Sequence, residues 1–161
     1  MQCFFTHFSL RDILEVLRLT ESLEIKGEKI VIPGAIHHLN RYTEYLAQSL
    51  GVTVCPIVTQ NSLVDDRFKD RNLGDGLFEF YHQASVALRS GGIVPIALQG
   101  ERQAKLTTLD NHAFSTVLLA MKRRTISNYA VIFMGLGIKG VMDYSKYSGF
   151  NIGKTYIATV G

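Results

Sequence analysis

The feature that most constrains the fold is a short apolar run enclosed by glycines. Ile93 to Leu98 are six consecutive apolar residues, with Gly91-Gly92 before them and Gln99-Gly100 after them. A run of this length between turn residues is typical of a strand buried on both faces of an α/β sheet. Ligands of open α/β sheets bind just beyond the carboxyl ends of such strands. The sequence therefore predicts a buried strand with a functional loop at its end.

Helical and strand patterns alternate along the rest of the chain. Apolar residues spaced for one helix face predict helices, and short apolar runs between turn residues predict strands. The predicted helices cover about residues 10–23, 37–50, 77–89 and 112–124. The predicted strands cover 28–32, 52–58, 93–98, 129–134 and 155–160. This alternation predicts an α/β fold with a mostly parallel central sheet and helices on both faces.

Length and composition favour one folded domain. The 161 residues suit a single α/β domain over 1–161, and 47% apolar residues exclude disorder by low hydrophobicity. The longest nearly apolar stretch, Tyr129 to Ile138, is well short of the ~20 residues of a membrane-spanning helix. The amino terminus lacks the features of a secretory signal, and the only cysteines are Cys3 and Cys55. We therefore expect a cytoplasmic protein.

The charged residues do not indicate a nucleic-acid or metal site. The net charge is +3, and the one basic triplet, Lys122-Arg123-Arg124, is typical of the end of a helix. The acidic residues between Asp65 and Asp75 alternate with cations and lack the spacing of a calcium loop. We expect no nucleic-acid partner and no bound metal.

Three polar segments follow predicted strands in order. They are His37-His38 with Glu44, Arg67 to Arg71, and Gln99-Gly100 with Arg102. Over about residues 29–140 this layout resembles the glycerolipid acyltransferase family of the lysophosphatidic-acid type. That family has an Asn-His-x-x-x-x-Asp block, then an Arg, then a Gly-Gly strand leading into Phe-Pro-Glu-Gly-Thr-Arg-Ser.

The resemblance implies a reaction and a role for each matched residue. An acyl group would pass from a coenzyme A or acyl carrier protein thioester to a hydroxyl of a phosphorylated lipid-like acceptor, without a bound cofactor. His38 matches the histidine base, and Glu44 is the nearest carboxylate that could orient its ring. On a continuous helix these two residues would face different sides. The predicted substrate-binding residues are Arg67, Arg71, Gln99, Gly100 and Arg102.

Such an enzyme works at a membrane surface, so we expect peripheral membrane contact. The candidate lipid contacts are the residues Cys3, Phe4, Phe5 and Phe8 near the amino terminus. The same phenylalanines could equally cover the core, which is the commoner place for aromatic side chains.

Several alternative interpretations stay open. Thr43 stands where the family has its Asp, and Leu98-Gln99 replaces the family's Pro-Glu, which suits a non-catalytic relative that binds a lipid or an acyl carrier. His37 and His38 could simply cap a helix, and Arg67 and Arg71 could form surface ion pairs. Gly135 to Gly140 matches a dinucleotide fingerprint, which would suit a nucleotide-binding enzyme, or forms a turn before the last strand.

Overall fold

The computed structural model describes residues 2–5, 12–22, 29–97, 119, 122–123, 130–141, 145–146 and 155–160. The strands are β1 (Gln2–Phe5), β2 (Ile30–Ala35), β3 (Val52–Ile57), β4 (Val94–Ala97), β5 (Val131–Ile138) and β6 (Tyr156–Val160). The α-helices are α1 (Asp12–Ser22), α2 (Arg41–Ser49) and α3 (Leu77–Arg89). A first 3₁₀ turn covers Ile36–His38 and a second covers Gln60–Val64. The described residues thus have the mixed helix and strand content of an α/β protein.

The chain divides into two compact units. One unit comprises residues 27–94, and the other comprises residues 1–26 together with 95–161. The single domain over 1–161 stays a prediction.

The unit of residues 27–94 is built on a small parallel sheet. β2 and β3 pair in parallel from Ile30 opposite Val52 to Ala35 opposite Ile57. On the other side of β2, the backbone N–H of Val31 donates to the carbonyl oxygen of Ile93 at 2.9 Å. α3 packs on both strands and α2 packs on β3. The core between these elements contains the buried residues Val31, Val52, Cys55, Phe80, Ala84, Leu88 and Ile93.

The helix predicted over 37–50 is interrupted by Asn40. The Asn40 side chain accepts hydrogen bonds from the backbone N–H groups of Tyr42 and Thr43, both at 3.0 Å. In return, Thr43 Oγ1 accepts the backbone N–H of Asn40 at 2.8 Å. This reciprocal capping box requires extended backbone at Asn40, so α2 begins at Arg41. The histidines before it therefore belong to a separate 3₁₀ turn.

The other unit contains a four-stranded sheet in the order β4-β1-β5-β6. β1 and β5 are parallel, whereas β5 and β6 are antiparallel from Met134 opposite Val160 to Ile138 opposite Tyr156. The sheet is therefore mixed. β1, which is only four residues long, was not predicted, and β5 extends four residues beyond the end of the strand predicted over 129–134.

The nucleotide interpretation of Gly135 to Gly140 does not fit the described geometry. Gly135 and Gly137 lie inside β5 and pair with β6, and a turn at Lys139-Gly140 follows. A dinucleotide fingerprint needs these glycines in a loop between a strand and a helix. This segment instead matches the other interpretation, a turn before the last strand.

Of the helix predicted over 112–124, only residues 119 and 122–123 are described, and they are helical. Within the described ranges, every helix is too short or too polar to cross a membrane.

Candidate functional site

The candidate site lies at the carboxyl ends of β2 and β3. The last pair of their parallel register is Ala35 with Ile57, so both strands end side by side. The first 3₁₀ turn leaves β2 directly, and the second leaves β3 after Val58 and Thr59. Parallel strands place these connections at one edge of the sheet, where α/β proteins bind ligands. The two turns are in contact there.

A buried hydroxyl network holds the ring of His37. The Oγ of Ser62 lies 2.8 Å from the Nδ1 of His37 and 3.0 Å from the Oγ1 of Thr59. It also accepts the backbone N–H of Thr59 at 3.1 Å, and Thr59 Oγ1 accepts the backbone N–H of Ser62 at 3.3 Å. Ser62 is 0% exposed. Because the Ser62 hydroxyl is buried and is also held by Thr59, the N-cap residue of the second 3₁₀ turn, it fixes the orientation of the half-buried His37 ring.

His38, the base predicted from the sequence, lies beside this network. Its side chain is exposed, and its ring centroid is 3.9 Å from that of His37 with the planes tilted by 50°. Glu44, its predicted partner, is an exposed residue in the first turn of α2. His38 does precede that helix, which removes the geometric objection raised by a continuous helix. The hydrogen bond that involves the buried Ser62 hydroxyl, however, is formed with His37.

Arg67 connects the long loop to the histidine pair. Its Nη2 donates to Asp65 Oδ2 at 2.6 Å and its Nε donates to Asp65 Oδ1 at 3.0 Å. The same Nη2 lies 3.4 Å from the carbonyl oxygen of His37. Arg67 thus forms a surface ion pair, as one of the alternative interpretations predicted. It also lies next to the 3₁₀ turn that carries both histidines.

The ion pair changes the titration of Asp65. Hydrogen bonds from the side chain and then the backbone of Arg67 lower the pKa of Asp65 from 3.8 to about 2. The same pairing raises the pKa of Arg67. The Arg67 side chain is nevertheless 62% exposed, so it faces solvent and can meet a ligand.

Of the other predicted site residues, only some lie in the part of the chain that the structure describes. Arg71 is exposed in the same loop as Arg67. Gln99, Gly100 and Arg102 lie outside the described residues, as does Phe8. Cys3, Phe4 and Phe5 form part of β1. Among the residues that the structure describes, no three potential metal ligands form a cluster.

Thr59 and Ser62 are not among the site residues predicted from the sequence. Their spacing, Thr-x-x-Ser after a strand, is that of a helix N-cap and its third residue. That signal could have located the second 3₁₀ turn. It could not have indicated that the buried hydroxyl would reach a histidine 25 positions away.

Comparison with known proteins gave no relative: no family model, curated protein or solved structure matches this chain significantly.

Proposed function

We propose that this chain is an acyltransferase. It moves an acyl group from a coenzyme A or acyl carrier protein thioester to a hydroxyl of a phosphorylated lipid-like acceptor. The observation that supports this most is the meeting of His37-His38 with Arg67 at the carboxyl ends of two parallel strands. An imidazole suits proton transfer and a guanidinium suits the binding of an anion, and the reaction requires both.

The proposed reaction needs one base and no redox partner. An imidazole nitrogen of the histidine pair takes the proton of the acceptor hydroxyl while the oxygen attacks the thioester carbonyl carbon. The new carbon–oxygen bond forms, the carbon–sulfur bond breaks, and the departing sulfur takes the proton back from the imidazolium. The products are an ester and a free thiol.

Arg67 is proposed to hold the acceptor phosphate. A guanidinium has five N–H donors, and the contacts to Asp65 and His37 use Nε and Nη2. Solvent screens an exposed ion pair such as Arg67 with Asp65, so a phosphate can share or displace it at little cost. Arg71, Gln99, Gly100 and Arg102 remain proposed substrate-binding residues.

The test is product formation from acyl-CoA and lysophosphatidic acid. We expect the His37→Ala/His38→Ala double variant to lose about 10²- to 10⁴-fold in rate, because both imidazoles of the site are removed. His82→Ala, which removes an exposed histidine on α3, serves as the matched control and keeps the wild-type rate. Equal product from the wild type and the double variant overturns the catalytic role of the pair.

One observation favours a non-catalytic alternative. Thr43, which replaces the family's Asp, uses its hydroxyl in the capping box of α2. A protein without that carboxylate could bind a lipid or an acyl carrier and not turn it over. Binding of radiolabelled acyl-CoA with no product from the wild type would support this alternative over the enzyme.

A further inference from the structure

We infer that His37 is the proton acceptor of the pair, and that Ser62 and Thr59 are the positioning residues that hold its ring. The inference rests on the proposed function. It assigns the role of base to His37, whereas the family pattern indicates His38. The orienting group is then a buried hydroxyl and not the carboxylate Glu44.

The geometry around His37 is that of an anchored general base. In such a base one ring nitrogen is held by an orienting group, and the other takes the substrate proton. The Nδ1 of His37 is held by Ser62 Oγ at 2.8 Å, which leaves Nε2 as the nitrogen outside this hydrogen bond. His38 is exposed, so its ring lies further into solvent than the half-buried His37 ring.

Counting hydrogens at Ser62 restricts the network to two arrangements. A hydroxyl has one hydrogen and two acceptor sites. Ser62 Oγ accepts the backbone N–H of Thr59, so one further acceptor site and one hydrogen remain for His37 Nδ1 and Thr59 Oγ1. Either His37 donates from Nδ1 and Ser62 donates to Thr59, or Thr59 donates to Ser62 and Ser62 donates to Nδ1.

Only the first arrangement makes Nε2 a base. With the hydrogen on Nδ1, the neutral ring has its lone pair on Nε2. When Nε2 takes a proton, Nδ1 still donates to Ser62 and no hydroxyl has to turn. A network that is already arranged for the charged state costs no reorganisation during reaction. Thr59 is essential to this arrangement because its Oγ1 accepts the Ser62 hydrogen.

Nitrogen NMR of the histidine rings tests the network without any activity. In spectra of the neutral His37 ring, we expect its hydrogen on Nδ1 in the wild type. Thr59→Val removes the acceptor of the Ser62 hydrogen, so Ser62 should donate to Nδ1 and shift the hydrogen to Nε2. A wild-type ring that carries its hydrogen on Nε2 overturns the inference, as does a Thr59→Val ring unchanged from wild type.

Kinetics separate the two histidines. We expect His37→Ala to lower kcat by about 10² or more and His38→Ala to lower it less than about tenfold. Ser62→Ala and Thr59→Val should lower kcat with little change in KM, because they disturb the base and not substrate binding. Ser85→Ala, which removes another buried hydroxyl, on α3, is the control for simple loss of packing and keeps the wild-type kcat.

The outcomes distinguish this inference from the proposed function. If His38→Ala causes the large loss and His37→Ala does not, the acyltransferase proposal stands and the assignment to His37 is wrong. If the wild type shows no transfer at all, the proposed function fails, while the NMR result still decides whether the hydroxyl network is as inferred. Should Ser62→Ala fail to fold, Thr59→Val tests the same network because it keeps the shape of the side chain.

Discussion

At the scale of single residues, the ion pair of Arg67 with Asp65 has the clearest consequence. Two carboxylate oxygens and three N–H donors take part, at 2.6 to 3.2 Å. A charge-assisted pair of this geometry favours the ionised carboxylate. It keeps the arginine close to the histidine turn, where the acceptor phosphate is proposed to bind.

Replacing Arg67 should raise the pKa of Asp65. We expect a wild-type pKa of about 2 and a higher value in Arg67→Gln, still below 3.8 because the backbone N–H of residue 67 continues to donate to Asp65, measured by NMR of the side-chain carboxyl carbon. Because the folded-state pKa lies below the unfolded one, the pair stabilises the fold above about pH 3.8 and loses this effect as the pH falls toward 2. An unchanged Asp65 pKa in Arg67→Gln would show that the pair does not form in solution.

The residues of the site differ in how well a sequence can indicate them. The two histidines and Arg67 stand out because each carries a chemistry that few side chains have. Ser62 and Thr59 do not, because serine and threonine are common in turns and their role depends on a contact between distant positions. The contact of Ser62 with His37 is likewise decided by tertiary structure.

At the scale of elements, Gly76 fixes the junction between the long loop and α3. Its φ is +91°, and a Cβ there would overlap the carbonyl oxygen of Pro56 in β3. Phe80 begins the helix ladder by donating its N–H to the Gly76 carbonyl at 2.9 Å. The close approach of this turn to β3 therefore requires glycine.

Gly76→Ala should destabilise the protein more than a matched glycine substitution. Gly91 also has a positive φ, +79°, but a Cβ there would meet nothing within 4 Å. We expect Gly91→Ala to cost about 1–2 kcal/mol for its backbone conformation. Gly76→Ala should cost about 1–3 kcal/mol more for the overlap. Urea unfolding of both variants measures this difference, and equal costs would contradict the described packing on Pro56.

Element prediction succeeded where local signals agree with each other. α3 was predicted at its observed bounds because its apolar face is regular and Gly91-Gly92 follows it. The start of α2 was wrong because the capping signal at Asn40 lies inside a longer helical pattern. β1 has only four residues, and its pairing with β5 joins positions about 130 apart, which no local pattern can indicate.

At the scale of the whole molecule, the alternation of helical and strand patterns in the sequence predicted the α/β character. It did not predict which strands pair or in which direction. β2 and β3 are parallel, and the crossover that contains α2 provides the long connection that parallel neighbours need. β5 and β6 are antiparallel, although their sequence patterns resemble those of the parallel strands. The direction of a strand depends on its connection, so apolar runs alone could not predict it.

The central claim is that the histidine pair and Arg67 belong to one active site. Acyl transfer to lysophosphatidic acid and to the same acceptor without its phosphate, compared in the wild type and in Arg67→Gln, tests it most directly. Arg67 is proposed to donate charge-assisted hydrogen bonds to the phosphate, so the wild type should prefer the phosphorylated acceptor by roughly tenfold or more in kcat/KM. Arg67→Gln should lose this preference, while Arg18→Gln, which removes an exposed ion-paired arginine on α1, should keep it. No transfer by the wild type, or the same preference in Arg67→Gln as in the wild type, would contradict the account.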